Sequence, residues 1–122
     1  MAKNERVTID FTTIDRTNGE FVMYLVEEGP WSETSLAERL RAIQARVYNA
    51  VDVAIDGYLA RVHPESRGSK VRIQVDLHAK PPEVVEALVR KLADHIAGSE
   101  EYRRDIEASK NIAGLRILVK HL

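Results

Sequence analysis

Residues 21–26 constrain the fold most strongly, because every position in this segment is apolar or aromatic. The side chains of a strand alternate between two faces, so a strand of this composition is usually covered on both of them. Asn18-Gly19 precedes it, and this dipeptide is the strongest short hairpin signal, since both residues tolerate a positive φ. Residues 6–11 alternate at period two and predict the partner strand. The sequence therefore predicts a β-hairpin whose second strand, residues 20–26, lies inside a sheet.

The middle of the chain predicts a long helix followed by a strand. Residues 32–63 carry apolar side chains at three-to-four spacing, which is typical of a helix packed on one face. Ser32 can cap this helix, and Ser35 offers an alternative cap one turn later. Gly57 lies within the pattern and costs roughly 1 kcal/mol relative to alanine, which a long packed helix can absorb. After a loop, residues 71–78 alternate between apolar and polar, which predicts a strand with one face toward the core.

The remaining segments complete an α+β pattern. Pro81-Pro82 predicts the start of a second helix, residues 100–109 a shorter and mostly polar helix, and residues 115–121 a last strand. The order ββαβα(α)β predicts one domain, residues 1–122, built as a two-layer sandwich with a four-stranded mixed sheet and helices on one face. Both crossovers should be right-handed and join parallel strands. The pattern does not define the lateral order of the strands.

The composition excludes several classes of function. Eighteen Lys and Arg against nineteen Asp and Glu give a formal net charge of −1, which argues against the excess of cations that a duplex nucleic-acid binder needs. The chain has no cysteine, so it has neither a disulfide framework nor thiolate chemistry. The first residues are too polar for a signal peptide, and no apolar run approaches the length of a membrane span. We therefore expect a cytoplasmic protein with no nucleic-acid or membrane partner.

Several stretches together resemble a small family of uncharacterised bacterial proteins, a domain of unknown function. They are the strand running into EEGPW, the helix ending in DGYLARVHPE, and the strand VRIQVDL with the proline-started helix and C-terminal strand that follow. The resemblance covers roughly residues 7–96 and the final strand, whereas residues 98–113 are longer than expected for the family. It implies the same fold and brings no activity, cofactor or catalytic residue.

The end of the sheet where parallel strands finish is one candidate site. Ligands of open α/β sheets bind at that edge, because helix N-termini there offer free N–H groups and a positive dipole. His78 would be the natural proton carrier, since histidine titrates near neutral pH, and Lys80 and Lys120 would hold an anion. The residues expected there are Glu27, Glu28, Trp31, Ser32, His78, Lys80, Lys120 and His121. The alternative is that strand ends and caps are polar only because they are wet.

Other chemistry has weaker signals. The four histidines lack a local ligand spacing such as HExxH, and the chain contains neither a GxSxG elbow nor a phosphate-binding glycine loop. Ser32, Ser35 and Ser99 are all explained as helix caps. We expect no metal and no cofactor, and a binding function is favoured over an enzyme, with an anionic small-molecule site at the strand ends as the alternative.

The sheet face opposite the helices is the second candidate. An apolar patch rimmed by charged residues has the composition of an interaction surface, and twofold dimers are the commonest oligomers. We therefore expect a non-enzymatic interaction module, either a homodimer or a domain that binds one specific protein. The interface candidates are Val22, Tyr24, Val26, Arg72, Asp76, Arg116 and Leu118, beside Thr8, Asp10, Thr12, Gln74 and Lys120. The alternative is that the third helix or the N-terminal residues cover this face.

Overall fold

A computed structural model describes residues 9–122 and confirms the α+β fold with a four-stranded mixed sheet. The elements are β1 (Phe11–Ile14), β2 (Phe21–Glu27), α1 (Leu36–Asp56), α2 (Tyr58–Val62), β3 (Ser69–Leu77), α3 (Glu83–Gly98), α4 (Glu100–Ala108) and β4 (Ile112–His121). The lateral order is β1-β2-β3-β4, with β1 antiparallel to β2 and the other two pairs parallel. In the described part of the chain, no helix has the length and apolar character that crossing a membrane requires.

The helices form one layer on one face of the sheet. The chain crosses from β2 to β3 and then from β3 to β4, and it moves in the same lateral direction both times. Two crossovers of the same handedness then place their helices on the same side of the sheet. The core lies between this layer and the sheet, and Tyr102 and Ile106 of α4 pack against it together with buried residues of α1 and α3. The other face, which carries Val22, Tyr24 and Val26 of β2, is called the open face here. Because α4 belongs to the core side, the third helix does not cover the open face.

The long helix predicted for residues 32–63 is divided in two, and the prediction of one continuous helix is wrong. Gly57 has a φ of +99°, a left-handed conformation that ends α1. The Ile55 carbonyl accepts hydrogen bonds from Ser109 Oγ at 2.9 Å and Asn111 Nδ2 at 3.1 Å. These side chains satisfy a carbonyl that would otherwise be left without a partner at the end of a helix.

The N-terminal hairpin is confirmed, but its first strand is displaced along the sequence. The structure has β1 at Phe11–Ile14, and Ile9 and Asp10 of the predicted strand precede it without strand structure. Residues 6–8, including Thr8, lie outside the described residues. Asp15 N–H donates to the Glu20 carbonyl at 2.8 Å, and four residues form the turn between them.

This register also reverses the predicted faces of β1. Phe11 pairs with Tyr24 and therefore lies on the open face, whereas Thr12 pairs with Met23 and lies on the core side. Asp10 contacts Arg46 of α1, so it also lies on the core side. The predicted placement of Asp10 and Thr12 on the open face is wrong, because a one-residue change of register moves every side chain of a strand to the other face.

Candidate functional site

The parallel strands do bring their carboxyl ends to one edge, where Glu27 closes β2. Glu27 is buried and forms ion pairs with two arginines of α1. Arg39 Nη2 lies 3.3 Å from Glu27 Oε1, and Arg46 Nη1 contacts Glu27 Oε2. Arg46 Nη2 also lies 2.9 Å from Asp10 Oδ2. The carboxylate of Glu27 is therefore neutralised within the fold and joins α1 to the sheet.

Trp31 and His78 meet at the same edge through a structural hydrogen bond. The indole Nε1 of Trp31 donates to the His78 carbonyl at 2.8 Å, and the Arg39 guanidinium lies 4.3 Å from the centre of the Trp31 ring. His78 N–H donates to the Glu27 carbonyl at 3.0 Å. These contacts attach the loop after β2 to the end of β3.

The other predicted edge residues do not converge with this pair. His121 contacts Glu86 of α3. The pKa of Glu86 is lowered mainly by a hydrogen bond from Arg90 and to a smaller extent by the one from His121. Ser32 caps a short 3₁₀ turn. Glu28, Lys80 and Lys120 are exposed. Within residues 9–122, no three His, Asp or Glu side chains gather in an arrangement that could hold a metal ion.

The open face carries an ionic cluster that the sequence patterns did not reveal, formed by Asp15, Glu20, Arg72 and Arg116. Arg72 Nη1 lies 2.8 Å from Glu20 Oε1 and 3.0 Å from Asp15 Oδ2. Arg116 Nε lies 2.7 Å from Glu20 Oε2. The pKa of Glu20 is lowered by hydrogen bonds from Arg116, which has the larger effect, and from Arg72. The pKa of Asp15 is lowered to about 2, mainly by hydrogen bonds from Thr17 and to a smaller extent by one from Arg72. The sequence patterns place Glu20 only at the start of a strand, so they give no sign of its ion pairs with Arg72 and Arg116.

The centre of the open face is already buried within one copy of the chain. Val22 is 0% exposed, Asp76 5% and Gln74 6%. Gln74 Nε2 donates to Asp76 Oδ1 at 2.7 Å. Tyr24 is half-buried and stacks on the exposed ring of Phe11, with 4.3 Å between ring centres.

The exposed residues among the predicted interface set are therefore few. Arg72 and Asp76 are buried with Val22, and Val26 is half-buried like Tyr24. Arg116 and Leu118 are exposed, and both belong to β4. The accessible part of the predicted interface thus lies along β4 at the margin of the sheet.

β4 is a ten-residue edge strand, and in the part of the chain that the structure describes its strand partner is β3 alone. Leu122 N–H donates to the Leu77 carbonyl at 2.9 Å. The residues of a parallel strand alternate in the direction of their backbone groups. From Gly114 onward, beyond a register shift opposite Ser69 and Lys70, the even-numbered residues of this strand therefore face β3. The N–H and C=O groups of Leu115, Ile117 and Val119 consequently point away from the sheet. We call this row the free edge.

A groove of about 420 Å³ lies between α3, α4 and the free edge. Ile96 and Ile106 line it together with Leu115 and Ile117 of β4. Arg103 and Glu107 of α4 add charged groups to its lining. An apolar groove next to unpaired backbone groups is the combination that strand-adding partners use, since the backbone gives affinity and the groove receives alternate side chains.

We compared the chain with protein-family models, with curated proteins and with solved structures, and none of the three comparisons finds a match. The resemblance to an uncharacterised bacterial family therefore stays a prediction.

Proposed function

We propose that the protein is a non-enzymatic protein-interaction module that forms a homodimer by pairing the free edge of β4 with the same edge of a second copy. The observation that carries this proposal is the ten-residue strand whose outer backbone groups have no strand partner among residues 9–122. Such a row of N–H and C=O groups is a template for another strand. A cytoplasmic location, which the sequence predicts, is part of the proposal.

The side chains of β4 support the same conclusion. Leu115, Ile117 and Val119 lie on the core side and are half-buried. Their register partners on β3, which are Val71, Ile73 and Val75, are at most 1% exposed. A second β4 would continue the sheet and complete the burial of the outer row, and each square ångström of apolar surface removed from water contributes about 25 cal/mol.

The charges favour a second copy over a strongly charged partner. The ionic cluster pairs two carboxylates with two guanidinium groups, so it carries no net charge, and the whole chain carries a formal charge of −1. Two copies of a cluster whose charges balance in this way approach without the repulsion that like-charged clusters experience. At the strand ends, Glu27 and His121 are paired with groups of the same chain, which is the reason for favouring binding over catalysis.

Light scattering behind size exclusion, over a wide range of concentrations, tests the homodimer. We expect a mass near twice the 13.8 kDa of one chain. Ile117→Pro removes one outward N–H and leaves the β3–β4 ladder intact, because proline is tolerated where the N–H faces solvent. This variant should be monomeric while its circular dichroism stays that of a folded α+β protein.

Thr12→Pro is the matched control on the opposite edge of the sheet. Asp15 N–H faces β2, so Thr13 also faces β2 and the N–H of Thr12 points outward. Thr12→Pro should keep the dimer. A monomer at every concentration contradicts the proposal, and so does a dimer that survives Ile117→Pro and dissociates with Thr12→Pro. If Ile117→Pro does not fold, Val119→Pro makes the same test by removing the next outward N–H of β4.

A further inference from the structure

We infer that the two copies pair their β4 strands antiparallel around a twofold axis at Ile117, an arrangement that rests on the proposed homodimer. Antiparallel pairing about an axis perpendicular to the sheet keeps both helix layers on one side, so the two apolar rows meet. Outward-facing residues must lie opposite outward-facing residues, because only they have free N–H and C=O groups. Odd-numbered residues of one copy therefore pair with odd-numbered residues of the other.

Strand length leaves two favoured registers. The regular part of β4 begins at Gly114, because its register with β3 shifts opposite Ser69 and Lys70. Within it, an axis at Ile117 pairs residues 114–120 of both copies, and an axis at Leu118 pairs residues 115–121. Moving the axis to Arg116 shortens the overlap to residues 114–118. Longer overlap satisfies more of the free backbone groups, which favours the first two registers.

Charge decides between them. An axis at Arg116 places this side chain directly opposite its own copy, in a closely spaced pair with Cβ atoms about 4.5–5.5 Å apart, where like charges are destabilising. An axis at Leu118 has the same defect, because it places Arg116 opposite Lys120. The axis at Ile117 places Arg116 opposite Leu118 and Lys120 opposite Gly114. In this register no two like charges lie directly opposite each other on β4.

The same register fills the groove. Ile117 lies opposite Ile117 of the second copy, and Leu115 lies opposite the second Val119. Leu115 and Ile117 line the groove, so the apolar side chains of the partner strand cover it. The product is one continuous eight-stranded sheet whose helices all lie on one side.

Single-cysteine variants test the register cleanly, because the chain contains no cysteine. We expect a disulfide between copies when G114C and K120C are mixed under mild oxidation, since opposite Cβ atoms lie within reach of a disulfide. Arg116 stays in place in both variants. A Cβ at Gly114 would meet Lys70 Cγ at 3.7 Å, an ordinary contact, so the fold should tolerate the change.

Two further samples, one a mixture and one a single variant, report the competing registers. G114C mixed with L118C would form the disulfide if the axis were at Arg116, and L118C alone would form it if the axis were at Leu118. We expect each to give about tenfold less cross-linked product than G114C with K120C, because disulfide formation requires close Cβ atoms.

The outcomes separate the register from the homodimer. A mass near twice that of one chain with the disulfide in either competing sample, or in none, overturns the axis at Ile117 and leaves the homodimer standing. A monomeric mass at every concentration overturns both.

Discussion

Glu20 and Arg72 lie 52 positions apart in the sequence, yet their Oε1 and Nη1 atoms are 2.8 Å apart on the open face. Each side chain exposes a tenth of its surface or less. A charge this buried depends on its partner, because the interior replaces water poorly as a solvent for ions. Arg116 shares the same carboxylate from the neighbouring strand, so one acidic residue holds β2, β3 and β4 together on this face.

Replacing Glu20 with glutamine should destabilise the fold strongly. The change removes the carboxylate that Arg72 and Arg116 share and leaves Asp15 as the carboxylate beside Arg72, so we expect a loss of about 1–3 kcal/mol in the free energy of unfolding. Urea denaturation at pH 7 measures it. Glu65→Gln is the control, because the Glu65 side chain is 53% exposed and contacts His63 at 3.9 Å, so its loss should stay within about 0.5 kcal/mol. Equal effects of the two changes would contradict the role of Glu20.

Acid should weaken the fold through Asp15 and Glu20. The pKa of each carboxyl is lower in the folded state than its ordinary value, and that of Asp15 falls from 3.8 to about 2. The unfolded chain therefore binds more protons as the pH falls, so the stabilisation present above the ordinary values is lost as the pH approaches the folded-state values. Urea midpoints measured between pH 6 and pH 2 should decline. The double variant Asp15→Asn with Glu20→Gln should show a shallower decline, and an unchanged slope would count against this assignment.

Asp52 should have the opposite effect on the fold. Partial desolvation raises the pKa of the Asp52 carboxyl first, and the nearby carboxylates of Asp56 and Asp105 raise it further. A carboxyl whose pKa is raised by folding stabilises the folded state only while it is protonated, so the fold loses stability as the pH rises through that range. At pH 7 the ionised carboxylate of Asp52 therefore destabilises the fold. Asp52→Asn should raise the Tm at pH 7 and have little effect near pH 3. Asp94→Asn, on the exposed side of α3, removes the same charge elsewhere and should not reproduce the gain.

Gly57 and Gly98 should respond to alanine in opposite directions. Gly57 has a φ of +99°, and a Cβ there would lie 3.1 Å from Asn111 Nδ2, so Gly57→Ala should cost about 1–3 kcal/mol. Gly98 ends α3, and a Cβ there would meet nothing within 4 Å. Gly98→Ala should stabilise the fold by about 0.5 kcal/mol, because alanine restricts the unfolded chain. Thermal unfolding of both variants measures the difference, and a tolerated Gly57→Ala would refute the strain at this position.

The candidate surface was only partly visible in the sequence. Arg116 and Leu118 were identified from their polar and apolar alternation, and the structure shows both exposed on β4. The sequence patterns give no sign of the ion pairs of Glu20, and they place Val22 on an accessible patch, whereas the structure has it fully buried. Exposure depends on which strands lie on either side, and residues of β2 acquire those neighbours only when β1 and β3 are in place.

The sequence by itself determined the elements and the class of fold. Period-two alternation defined the strands, three-to-four spacing defined the helices, and Asn18-Gly19 predicted the hairpin, because these signals act between residues a few positions apart. Tertiary structure alone decided the lateral strand order, the face that Phe11 occupies, the break at Gly57 and the ion pairs of Glu20. Each of these depends on contacts between distant segments, such as Asn111 with Ile55 or Arg116 with Glu20, and those contacts form only after the strands have paired and the helices have packed on them.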